Sequence, residues 1–268
     1  MARSVPLLAA PHRLPFLAGT IGFAATAGWW LAWLAGQAGF MPPLPESTLP
    51  AALLHAPALI YFGFAPFVFG FLLTVFPRWM GYPDLPRGQF GPIALLLAAA
   101  VLTGAAGLWT AQPGLVSTGL ALLALGWLIA LGVLGRLLGQ SRRDRKPPCW
   151  HAYSAWIALL LGLIGVGLAL VFVARSDGEA WRWSHQLGTG GFLLPVFLTV
   201  AHRMVPFFAG NVVAGYQRWK PDWVMAALWL ALLVRLSGEL EQAGPAMVAG
   251  CAGLAGLTAL MTWKWWPR

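Results

Sequence analysis

The chain has 268 residues, of which 59% are hydrophobic and 9% charged, against the roughly 25% charged residues of an ordinary soluble domain. A water-soluble enzyme is excluded. Seventeen Lys and Arg against eight Asp and Glu give a formal charge of +9; in so apolar a chain the cations report bilayer orientation, and nucleic acid is not expected as a partner.

Arg3 and Arg13 precede the first apolar run, but Pro6, Pro11 and Pro15 interrupt it and no A-x-A-like cleavage site follows, so the segment is expected to be retained. A spanning helix needs about 20 apolar residues. Eight segments qualify: 14–38, 51–76, 91–111, 115–139, 152–174, 184–208, 222–241 and 245–266. Turn chemistry separates them, at Met41-Pro42-Pro43-Leu44-Pro45, Tyr82-Pro83-Asp84-Leu85-Pro86, Gln112-Pro113-Gly114, Lys146-Pro147-Pro148, Lys220-Pro221-Asp222 and Gly244-Pro245. The expected fold is an all-α polytopic bundle of eight transmembrane helices forming one domain, 1–268. Leu73-Thr74-Val75-Phe76-Pro77-Arg78 in span two parallels Leu198-Thr199-Val200-Ala201-His202-Arg203 in span six, which suggests halves at 1–140 and 150–268.

With the N-terminus in the cytoplasm, Arg3, Arg13, Arg78, Arg87, Arg136, Arg142, Arg143, Arg145, Lys146, Arg203, Arg218, Lys220, Lys264 and Arg268 lie inside. Only Arg175, Arg182 and Arg235 fall outside, a bias of fourteen to three. This orients a multi-pass membrane protein with both termini cytoplasmic. Trp79, Trp150, Trp181, Trp183, Trp219, Trp223, Trp263, Trp265 and Trp266 fall near span ends and read as interface anchors. Arg142-Arg143-Asp144-Arg145-Lys146 reads as an inner-face determinant touching anionic lipid. Cys149 and Cys251 are the only cysteines; neither reaches the outer face, so no structural disulfide is expected. The absence of CxxCH removes covalent c-type haem, and no Walker A, H-E-x-x-H or G-x-S-x-G sequence is present.

Ionisable groups inside spans are costly unless paired or ligated, so each is a candidate site residue. His55 and His185 begin spans two and six and share the outer depth; His151 begins span five and His202 ends span six, at the inner depth. Two cross-helix histidine pairs match the way a bis-histidine b-type haem takes one imidazole from each of two facing helices. One haem is expected outside and a second is the alternative inside. The competing reading is that histidines at span ends only cap helices or meet headgroups. His185 and His202 are 17 residues apart, which on a straight helix points them about 100° apart; Pro195 between them can kink the helix. Ala56, Pro57 and Ala58 after His55, and Gly188, Gly190 and Gly191 after His185, are small enough to admit a macrocycle. Tyr61, Phe62 and Phe64 either pack against it or pack ordinarily. Arg235, with Arg182, could bind haem propionates bidentately, or Arg235 and Glu239 form an intrahelical ion pair. Copper is a further option, through Cys149, His151, His202 and Met204. His12, beside Arg13, reads as a solvated residue.

The segments Pro11-His12-Arg13-Leu14-Pro15-Phe16-Leu17-Ala18-Gly19, His55, Gly63-Phe64 and Gly70-Phe71-Leu72-Leu73-Thr74-Val75-Phe76-Pro77-Arg78-Trp79-Met80-Gly81 resemble the NnrS family of bacterial inner-membrane proteins. His185, Gly188 and Arg203 resemble that family's later histidine-bearing helix. The resemblance implies a haem- and copper-containing protein linked to nitric oxide and denitrification. The chain departs from the family in reading His55-Ala56-Pro57-Ala58-Leu59 where a paired H-x-H-E-M is common. It also reads His202-Arg203-Met204-Val205-Pro206 in place of G-H-T-G-R, and it has eight spans where twelve are usual. Electron transfer or nitric oxide handling is therefore expected. The rivals are a haem-bearing subunit of a respiratory complex, with quinol, a cytochrome c or other respiratory subunits as partners beside membrane lipid, and a non-redox transporter or assembly factor. A reporter fused after Arg268 is expected to be active only as a cytoplasmic fusion; periplasmic activity would overturn the orientation.

Overall fold

The computed structural model describes residues 6–266, so Arg3 and Arg268 of the charge tally lie outside the described residues. After a 3-10 turn at Pro6–Leu8 come α1 (Arg13–Gln37), α2 (Ala51–Ala58), a π-helical turn (Leu59–Phe64), α3 (Ala65–Trp79), α4 (Arg87–Trp109) and α5 (Pro113–Arg143). Then follow α6 (Trp150–Arg175), α7 (Gly178–Gln186), a second π-helical turn (Leu187–Leu193), α8 (Leu194–Val212), α9 (Asp222–Leu240) and α10 (Gly244–Trp265). No strand occurs among the described residues. Counting α2 to α3 and α7 to α8 as continuous, eight helices among the described residues are long and apolar enough to cross a membrane, and the protein is a multi-pass membrane protein. The sixth span starts earlier than expected. The Asp177 side chain accepts from the backbone N–H of Glu179 (2.9 Å) and Ala180 (3.1 Å), capping the helix, so His185 and Arg182 sit inside α7 and not at its start.

The two π turns share a cause. Pro66 and Pro195 each follow closely behind one, and a proline supplies no N–H to the carbonyl four residues back. The ladder resets through i−5 bonds, from the Ala65 N–H to the Ile60 carbonyl and from the Leu194 N–H to the Thr189 carbonyl. Pro57, inside α2, likewise leaves the Leu53 carbonyl without its helical donor.

Spans pack through small residues, as expected where lipid removes the hydrophobic drive between helices. A Cβ at Gly119 on α5 would stand 2.7 Å from the Gly104 backbone nitrogen on α4, and one at Gly22 on α1 would strike the Phe62 carbonyl. Trp127, fully buried on α5, donates to the Leu159 carbonyl (2.8 Å) and packs against Phe69 and Phe192, tying α3, α5, α6 and the second π turn together. One large buried cluster runs through the first six spans; a smaller one forms where α9 and α10 meet α8.

At the end rich in basic residues, Gly81 takes a left-handed turn (φ +67°) that closes α3. Lys146 donates to the Met80 and Gly81 carbonyls (3.1 Å each) and lies 3.6 Å over the Tyr82 ring. The Arg78 guanidinium grips Asp84 with two 2.7 Å bonds and holds its carboxyl below the usual carboxylate range. Cys149 and Cys251 are free thiols.

Gly119→Val is expected to destabilise the detergent-solubilised protein by about 1–3 kcal/mol through overpacking, read as a lower unfolding temperature. Gly132→Val, on the same helix with no neighbour within 4 Å of its Cβ position, is the control and should change little.

Candidate functional site

His55 and His185 stand on abutting helices, α2 and α7. Reciprocal bonds lock those helices. Trp181 of α7 donates through Nε1 to the Leu53 carbonyl (2.7 Å), the group that Pro57 leaves free, and Tyr61 of the first π turn donates to the Ser184 carbonyl (2.8 Å). Each bond lies within a turn of one histidine. His55 is stacked on Trp30 of α1 (centroids 4.2 Å, 13°), and His185 runs parallel to Trp181 (6.0 Å, 8°). The His55 Nδ1 lies 2.8 Å from the Ala52 carbonyl. A carbonyl can only accept, so Nδ1 carries the proton and the Nε2 of the neutral ring keeps its lone pair.

His185 Nδ1 is buried and has no hydrogen-bond partner, and neither has Nη1 of Arg235. Arg235 gives its other amine to Gln186 Oε1 (3.1 Å) and pairs with Glu239 at 3.5 Å, so the intrahelical ion pair is present while one arm remains unspent. Arg182 is committed elsewhere, to Glu179 (2.7 Å) and the Glu239 carbonyl (3.0 Å). It meets the same Glu239 that Arg235 pairs with, but is not a second free guanidinium. A cleft of about 650 Å³ between α3 and α8 reaches Arg235 and is walled by Phe64, Phe67, Phe71 and Phe197, with no histidine on it.

The expectation that glycines leave room for a macrocycle needs correcting. The space over Gly188 holds the Tyr61 hydroxyl and Ile60, that over Gly190 holds the Arg235 guanidinium, and that over Gly191 holds Leu161 and Leu187. These glycines let span six approach its neighbours. Tyr61 and Phe62 are core residues, whereas Phe64 is 42% exposed. His12 precedes α1 and rests its ring on Phe16.

At the other end, His151 Nε2 and His202 Nδ1 are 2.9 Å apart, both rings buried. An iron between two imidazoles separates their nitrogens by two metal–nitrogen bonds, about 4 Å at about 2 Å each, so this direct contact is not a bis-histidine iron geometry. His202 Nε2 is buried and unpartnered. One turn deeper, Ser154 and Thr199 share a 2.6 Å bond, and Trp229 donates to Ser154 (2.7 Å). Trp79 stands edge-on to His151 (6.3 Å) and under Arg203, which reaches the Cys149 sulfur at 3.9 Å. Among the described residues no group of three or more His, Cys, Asp or Glu is placed to hold a metal ion, so the copper set does not assemble. His185 and His202 face different neighbours, α2 and α6, and share no seam.

A profile of the NnrS protein family matches residues 6–268. The chain belongs to the NnrS family. No curated protein and no solved structure matches it. In this NnrS protein the sequence reading missed the residues that hold the histidines: Trp30 and Trp181, read as nothing and as an interface anchor, and the Ser154–Thr199 pair. The last was accessible from spacing, because Ser154 follows His151 by three residues and Thr199 precedes His202 by three, on the same helix faces.

Trp181→Phe is expected to cost about 1–2 kcal/mol by stranding the half-buried Leu53 carbonyl. In a Pro57→Ala background, where the helix supplies that carbonyl with its own N–H, the cost should shrink. A double-mutant cycle on unfolding temperature measures the difference.

Proposed function

We propose that this NnrS protein holds a b-type haem at the His55 end of the bundle and works in electron transfer or nitric oxide handling in the bacterial inner membrane, with both termini cytoplasmic. In this reading His55 and His185 would hold the iron through their imidazoles, and Arg235 would pair with a carboxylate of the haem. The observation that carries it is the coincidence, in one corner of the bundle, of a buried unpartnered imidazole nitrogen on His185 and a buried unpartnered guanidinium arm on Arg235. Buried polar atoms without partners cost free energy, and these two are the donor types that iron and a carboxylate require.

When bound, haem would supply one-electron chemistry and, with an open coordination site, affinity for nitric oxide. The chain's own part is positional. The Ala52 carbonyl fixes the His55 tautomer and turns Nε2 outward, as outer partners of ligating histidines do. Trp30 and Trp181 hold the two ring planes, and Gln186 and Glu239 orient Arg235 while leaving Nη1 free. The histidine pair at the basic end offers a single ligand atom, His202 Nε2, with His151 behind it as its orienting partner. This supports at most a histidine-ligated second centre there, and copper finds no donor set in these residues.

His55→Ala or His185→Ala is expected to remove or shift the Soret band of the purified protein, while His12→Ala leaves it unchanged. Reduced spectra with and without nitric oxide separate a gas-binding haem from a six-coordinate electron carrier. Both histidine variants keeping wild-type haem content and spectrum while folded would overturn the ligand assignment, and a colourless, haem-free wild-type preparation would favour the transporter or assembly-factor rival.

A further inference from the structure

A recess of about 850 Å³ opens at the basic end between the close of α5 and the first turns of α6 and α9. It exists because α9 leans mainly on α10 and touches α6 only lightly. Its deep wall is apolar, formed by Ile157, Met225, Ala226 and Trp229, and its mouth carries Arg142, Lys146 and Ser141. We propose that this recess is a binding site for one anionic glycerophospholipid, with the phosphate at Arg142 and an acyl chain laid along Ile157 and Ala226.

Charge and hydrogen-bond complementarity carry the assignment. Arg142 spends only its Nε on the Tyr153 hydroxyl (2.9 Å), which leaves both terminal amines for an anion and the Tyr153 O–H free to donate. The mouth therefore presents donors, as a phosphate, which only accepts, requires. Neighbouring Arg143 and Arg145 add positive potential, and of the two nearby carboxylates Asp144 is taken by the Tyr82 hydroxyl (2.5 Å), leaving Asp222 at the rim. The single polar group in the deep wall is already satisfied. Thr199 donates to the Pro195 carbonyl (2.6 Å), so Ser154 donates to Thr199 and accepts from Trp229. Nothing deep in the recess invites a polar ring, whereas Ile157, 43% exposed, and the face of Trp229 form a bed for a hydrocarbon chain. Basic groups at headgroup level above an apolar slot are the arrangement by which helices retain acidic lipids.

The test uses the full chain in mild detergent, with phosphatidylglycerol, phosphatidylcholine and a short-chain ubiquinone as probes, read by native mass spectrometry and by unfolding temperature. Phosphatidylglycerol is expected to remain bound and to raise the unfolding temperature, and phosphatidylcholine is not. Arg142→Gln, which removes charge-assisted bonds, should weaken phosphatidylglycerol binding about tenfold or more. Arg142→Lys should weaken it less, and Ala226→Trp should block it by filling the acyl bed while leaving the mouth intact. Phosphatidylcholine binding as well as phosphatidylglycerol, ubiquinone displacing the lipid, or folded Arg142→Gln and Ala226→Trp binding it like wild type would each overturn the proposal. Haem content is a separate readout, so this outcome and that of the histidine variants are independent.

Discussion

A backbone carbonyl inside a bilayer has no water to turn to, and that constraint organises the end of this protein where His55 and His185 lie. Prolines in spans two and six remove helical donors, and the chain answers with two π turns and one side-chain donor, Trp181, that crosses between the spans. Trp181 serves the carbonyl that Pro57 strands, and Tyr61 serves Ser184 in return. The defect that Pro57 makes in span two becomes a bond that joins it to span six. His55 and His185 lie beside those bonds, so the same chemistry that satisfies the backbone fixes the distance and orientation of the two imidazole-bearing helices.

The two histidine pairs differ in what they leave unsatisfied. At the basic end, His151 Nε2 and His202 Nδ1 bond each other, a ladder of Ser154, Thr199 and Trp229 continues the polar seam inward, and His202 Nε2 alone stays open. At the opposite end the rings meet tryptophans, which offer a face but no lone pair, and a nitrogen of His185 and an amine of Arg235 stay open. An aromatic face orients an imidazole without consuming its donor or acceptor, and at His185 it leaves Nδ1 open.

Close packing elsewhere is carried by glycine. Gly22, Gly104 and Gly119 bring backbones into contact in the first half of the chain, and Gly238 and Gly250 do the same between α9 and α10. That last pair of helices builds its own small core against α8. Its standing off from α5 creates the basic-mouthed recess, so the looseness of one helix pair and the presence of a lipid-sized slot are one feature seen twice.

Hydrophobic length and turn chemistry in the sequence determined the eight spans, because those properties are local and additive along a helix. The NnrS family was legible in the Gly70 to Gly81 segment for the same reason. What a polar atom touches was decided only by the tertiary structure. No spacing rule tells that the glycines after His185 are filled by Tyr61 and Arg235, that Trp30 covers His55, or that His151 and His202 bond directly. Each of those contacts depends on how far one span is rotated and displaced against another, and that rotation is set by the summed packing of every helix at once.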